Sequence, residues 1–116
     1  PMLFVSVGAK GPGESVGVSR DAMIDLDIRV EAPPSMALDT LEIFAGTACI
    51  RTIPLRPRAH VVAFDERVRV FVANARTLVV RVRGHGTLAP LVDRRGAFPM
   101  AFTSPIHLET WGENAD

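Results

Sequence analysis

The sequence predicts an all-β protein folded as a sandwich of two sheets. Three observations predict it: hydrophobic and polar residues alternate at period two, glycine and proline interrupt that alternation at short intervals, and no window carries an i, i+3, i+4, i+7 apolar stripe. Composition agrees with a single domain. The chain has 116 residues, 47% hydrophobic and 22% charged, enough to bury one core and too few for two.

Taken in order, Leu3, Val5 and Val7 alternate in a first strand, which the turn Gly11-Pro12-Gly13 ends. Residues 23–30 form the clearest strand, with Ile24, Leu26, Ile28 and Val30 on one face and Asp25, Asp27 and Arg29 on the other. Pro33-Pro34 closes it, and residues 35–40 have room for one short helical turn. Leu41 and Ile43 mark a strand that turns at Gly46 into another over residues 49–53. Weaker strands are expected over residues 60–64 and 100–108. Between these, Val68, Val70 and Val72, then Leu78, Val80 and Val82, point inward, with Arg67, Arg69, Arg81 and Arg83 outward. The polar residues 112–116 are expected to fray.

Short strands at this spacing make a sandwich or a barrel, and the pattern fits an immunoglobulin-like β-sandwich of about seven to nine antiparallel strands. In that topology residues 23–30 are the second strand and residues 67–72 the fifth, antiparallel neighbours in one sheet. Asp25 and Asp27 should therefore meet Arg67 and Arg69 across the outer face, setting register more than stability. The antibody hallmarks are missing: the chain has no cysteine pair, no tyrosine, and no tryptophan on the third strand.

Thirteen basic residues balance thirteen acidic ones, so no net field draws the chain to nucleic acid or an anionic membrane, and neither is expected as a partner. Among the basic residues only Lys10 is a lysine, which reads as the codon bias of a GC-rich bacterial genome. Cys49, the single cysteine, sits in a predicted strand among apolar neighbours, which excludes an internal disulfide and a thiolate cluster. No apolar run approaches the ~20 residues of a membrane span. The chain opens at Pro1 without a leader and reaches a strand within two residues, as an excised fragment would. Its compartment stays open, an extracytoplasmic one included.

Chemistry-bearing motifs are scarce. His60, His85 and His107 lack a ligand partner at the short spacing of zinc sites. Asp21, Asp25 and Asp27 suggest a calcium loop, yet alternation puts the last two on a strand face, where their oxygens cannot curl round one ion. Ser19, Ser35 and Ser104 have no nucleophile elbow and no assignable histidine–acid pair. Gly11-Pro12-Gly13 lacks the lysine and helix of a phosphate loop. The chain thus offers no catalytic, cofactor-binding or metal-binding residue of its own. What it does offer is phenylalanine out of phase with its strand: Phe4 beside Ser6, Phe44 beside Glu42, and Phe71 beside Arg69. Each can cover a partner surface, stack a ligand, or be an ordinary exposed apolar group; a protein interface is the preferred reading.

The last third of the chain carries a family likeness. Leu78-Val79-Val80-Arg81-Val82-Arg83-Gly84, then Leu88-Ala89-Pro90, then Pro99-Met100-Ala101-Phe102-Thr103-Ser104-Pro105-Ile106 resembles the C-terminal end of CehA/McbA-type metallohydrolases, which have a PHP (polymerase and histidinol phosphatase) catalytic domain. Pro1-Met2-Leu3, the turn Gly11-Pro12-Gly13-Glu14 and the hairpin over residues 39–55 are compatible, so the resemblance spans essentially the whole chain. Ser104 stands where the family has asparagine, and His107 where an aromatic residue is usual.

The resemblance implies a noncatalytic accessory sandwich that packs against, orients or stabilises a PHP-type hydrolase domain. Divalent metals are then expected only in that preceding domain, with no cofactor here. The candidate interface comprises Phe4, Phe44, Phe71, Met100, Phe102 and Ile106, and a homodimer of the isolated chain is expected to bury it. The alternative is an independent extracellular-type module that binds carbohydrate or protein.

Overall fold

Alternation becomes strand throughout the computed structural model, which describes residues 2–33, 38–56, 61–84, 100–103 and 105–110. Among them lie nine strands and no helix: β1 (Met2–Ser6), β2 (Ser15–Val18), β3 (Met23–Glu31), β4 (Leu38–Ala45), β5 (Ala48–Pro54), β6 (Val62–Phe71), β7 (Thr77–Gly84), β8 (Met100–Phe102) and β9 (Ile106–Thr110). One sheet has the order β1-β3-β6, and the other β2-β9-β7-β4-β5, with β8 also pairing β7. The second sheet is mixed, because β2 runs parallel to β9.

The core lies between the sheets. Leu26, Ile28, Val30, Val68 and Val70 come from the first sheet, and Leu41, Ile43, Leu78, Val80, Val82 and Ile106 from the second, each less than 9% exposed. Among the described residues no polar or charged side chain is buried with them. In β2, β3, β7 and β9 the inward apolar residues repeat at every second position, so each of these strands contributes one face and leaves the other to water.

The structure corrects several sequence expectations. Leu38 to Thr40 lie in β4 and so belong to a strand, whereas residues 35–37 lie outside the described residues. The strand expected over residues 60–64 and the valine strand after it are one strand, β6. The strand expected over residues 100–108 breaks into β8 and β9. β2 was not foreseen, and its presence makes the predicted second and fifth strands the third and sixth. Residues 112–116 and His60 and His85 lie outside the described residues.

The predicted cross-strand pairing is present. β3 and β6 are antiparallel, with Asp25 opposite Arg69 and Asp27 opposite Arg67. Nε of Arg69 donates to Oδ1 of Asp25 at 2.8 Å, and Nε of Arg67 to Oδ1 of Asp27 at 2.8 Å. The ladder continues through Arg29, which binds Asp65 at 2.9 Å and Glu31 at 2.7 Å. The Arg69 hydrogen bond, aided by its charge, holds the Asp25 carboxyl below its ordinary value of 3.8.

Because the folded value is depressed, the stabilisation is complete above the ordinary carboxylate value and is lost as pH falls through the folded one. Exposure of both groups keeps it small. Arg69→Glu is therefore expected to lower the thermal midpoint modestly at neutral pH, and the double swap Asp25→Arg with Arg69→Glu to restore it. No loss in the single variant would contradict the pairing.

Candidate functional site

The described residues of two segments that carried the resemblance, 78–84 and 100–106, meet on β7. β8 pairs with Arg81, Val82 and Arg83 of β7, and β9 pairs with Thr77 and Leu78 of the same strand. At the break between them Thr103 takes over the ladder from both sides: its backbone N–H donates to the Val80 carbonyl at 3.0 Å, and the Val80 N–H donates to its Oγ1 at 3.0 Å. Pro105 follows, and its carbonyl accepts from the Gly13 N–H at 3.0 Å. Ile106 then turns into the core, 1% exposed.

The turn over residues 11–14 completes this joint. Oε2 of Glu14 accepts from the Gly11 N–H at 2.7 Å, and the Glu14 carbonyl accepts from the His107 N–H at 3.0 Å. Gly13 has φ of 86°, a left-handed conformation that glycine adopts without strain. These bonds lead the chain from the edge of one sheet at β1 to the edge of the other at β2. His107 is exposed there, and its backbone does the joining.

The candidate interface residues do not form one patch. Phe4 is 46% exposed on the outer face of the first sheet, opposite Arg29. Phe71 is 58% exposed on the same sheet, opposite Met23. Arg29 and Met23 stand six positions apart on β3, which separates the two rings by about 20 Å along the strand. Phe44 is half-buried on the outer face of the other sheet, with the Arg81 guanidinium 4.9 Å from its ring centroid. Register places Phe102 beside Arg81 and Met100 beside Arg83 on that same sheet. Ile106 is a core residue, because β9 alternation turns it inward with Leu108.

No family, curated protein or solved structure matches the chain.

Two features escaped the sequence reading. Glu42 looks like an ordinary outward acid, yet its side chain is only 13% exposed and its Oε1 accepts from Nε of Arg81 at 2.7 Å. The corresponding acids of the first sheet, Asp25 and Asp27, are 38% and 40% exposed. Its facing arginine, Arg81, one strand away, was the available signal. Val61, 54% exposed, is the second, and it sits where β5 and β6 are joined. Cys49 lies in β5 between Ala48 and Ile50 as expected and is exposed, with Sγ 3.5 Å from the Arg51 carbonyl.

The outer face of β1 borders a groove of about 410 Å³, lined by Phe4, Ser6, Pro12, Asp27 and Arg29 among others. One exposed ring flanked by a hydroxyl, a carboxylate and a guanidinium can stack and hydrogen-bond a small polar ligand. Asp21, in turn, is drawn below its ordinary value by the Ser19 hydroxyl and the Met23 N–H, and serves to cap the start of β3. Among the described residues no three histidine, cysteine or acidic side chains converge as a metal set.

Proposed function

We propose that this chain is a noncatalytic, immunoglobulin-like accessory sandwich that packs against and orients a PHP-type metal-dependent hydrolase domain outside these residues. The strand order β1-β3-β6 facing β9-β7-β4, with the N-terminal stretch split between both sheets, supports the immunoglobulin-like assignment. The observation that carries the functional reading is how side chains are used. Asp25, Asp27, Asp65 and Glu42 are each engaged by an arginine, whereas Val61 stands exposed at 54%. Acids committed to ion pairs serve register, and large exposed apolar groups serve contact.

The docking end is the one bearing Val61. The β3–β4, β5–β6 and β7–β8 connections all leave from the strand ends near it, since Leu38 pairs Gly84 and Met100 pairs Arg83. The test is the coding sequence upstream of Pro1. Histidine- and acid-rich metal motifs of the PHP type in the same frame are the expected result, and a frame that holds no such domain overturns the reading.

The groove beside Phe4 favours a second reading, an independent module for carbohydrate. A saturable response to mono- or oligosaccharides, abolished by Phe4→Ala, would select it over the first.

A further inference from the structure

Phe4 and Ser6 are successive outward residues of β1, and register sets Arg29 opposite Phe4 and Asp27 opposite Ser6. An aromatic ring, a hydroxyl, a carboxylate and a guanidinium thus stand at the corners of a rectangle of about 5 by 7 Å, the cross-strand and two-residue spacings of a sheet. The chain then folds back beside β1. Val7 and Lys10 bridge to each other, Gly11 lies against the Val5 carbonyl, and Pro12 lines the groove together with all four corner residues. This return closes the strand edge to another chain and leaves a space of about 410 Å³, at the lower end of small-molecule sites.

Each polar corner keeps bonding capacity. Among the described residues the Ser6 hydroxyl has no partner. Arg29 uses Nε for Glu31 and Nη1 for Asp65, which leaves Nη2. Asp27 accepts two bonds from Arg67, and each of its oxygens has a second lone pair. The same ion pairs hold both side chains in place, so a ligand does not have to order them. Phe4, 46% exposed, offers a flat apolar surface beside them.

We propose that this groove seats one neutral pyranose ring, its C–H face stacked on Phe4 and its hydroxyls bonded to Ser6, Asp27 and Arg29. A pyranose combines an apolar face with a rim of donors and acceptors, and the rectangle presents the complement of both. Neutrality follows from the corners: a uronate would set a like charge against Asp27, and an amino sugar one against Arg29. A single ring follows from the sheet, because Phe71, the next exposed ring on this face, is about 20 Å away and gives a sugar chain no second platform. The inference rests on the carbohydrate reading of the groove and is independent of the hydrolase reading.

Its test is titration of the isotope-labelled chain, followed through its amide resonances, with the methyl pyranosides of glucose, galactose, mannose and xylose. Methyl glucuronide and the β-linked hexamer of the tightest binder complete the set. At least one neutral pyranoside is expected to bind saturably in the millimolar range, shifting residues 3–6 and 27–29. Phe4→Leu, which keeps bulk and removes the ring, should weaken it by about tenfold, while Phe4→Trp retains binding and Ser6→Ala weakens it. The hexamer should bind within about tenfold of its monomer, since only one ring is seated. Circular dichroism checks that each variant is folded. Tighter binding of the glucuronide than of methyl glucoside, a larger gain from the hexamer, or an unchanged Phe4→Leu overturns the proposal. Saturable binding whose shifts lie elsewhere overturns this site and leaves the carbohydrate reading standing, whereas no saturable shift with any sugar at about 50 mM overturns both.

Discussion

Ile106→Ala is expected to lower the unfolding free energy of the isolated chain by about 2–5 kcal/mol, the usual cost of truncating a buried aliphatic side chain and leaving a cavity. Ile106 is 1% exposed and lies among Leu78, Val80 and Leu108 in the core cluster. Urea denaturation at neutral pH checks it. The result discriminates between two roles for the closing segment. A residue kept for contact with a partner would leave the stability of the isolated chain almost unchanged, so a loss under about 1 kcal/mol would return Ile106 to the interface.

The second large effect is expected at Thr103. Thr103→Val preserves shape and removes the Oγ1 that accepts from the part-buried Val80 N–H. An N–H left without a partner costs about 1–3 kcal/mol, while Thr103→Ser, which keeps the hydroxyl, should cost much less. Hydrogen exchange gives the sharper check, because protection of the Val80 amide should fall selectively in the valine variant. A larger loss in Thr103→Ser than in Thr103→Val would mean that the threonine methyl, and not the hydroxyl, holds the joint.

These two residues show why the closing segment reads as a motif. Its apolar and hydroxyl positions are spaced to end one strand, bridge a gap in the ladder and begin another. The same is true of the glycine-rich turn that bonds to it through Gly13 and Glu14. Such residues say how the sandwich is closed, and they leave its function to its surfaces.

The β3–β6 pairing was legible because residues 67–70 alternate charge with valine in the same phase as residues 24–27 alternate charge with aliphatic residues, so one register sets Ile24 against Val70, Asp25 against Arg69, Leu26 against Val68 and Asp27 against Arg67. β2 was not legible. Ser15-Val16-Gly17-Val18 holds two valines and a glycine, a weak local signal, and its place depends on parallel pairing with β9, some ninety positions away in the chain. The break at Thr103 escaped for a related reason: a side chain replaces a backbone acceptor there, which hydrophobic periodicity does not register.

For the surface, parity told which face Phe4, Phe44 and Phe71 occupy and nothing about how far apart they stand. Strand period fixes a face, whereas position along and between sheets comes from register. That is why residues expected as one interface divide between two sheets and opposite ends, with Ile106 inside. Glu42 shows the converse. Its identity and outward phase match an ordinary surface acid, and only its placement against Arg81 and Phe44 reveals a shielded ion pair.

The accessory-domain reading is tested most directly by calorimetric titration of this chain into a separately purified PHP-type catalytic domain from the same coding frame. The prediction is a saturable one-to-one complex that Val61→Asp weakens and Phe71→Asp, at the opposite end, does not. Absence of any binding heat at about 100 μM of each component, where even a weak specific complex would form, would contradict it.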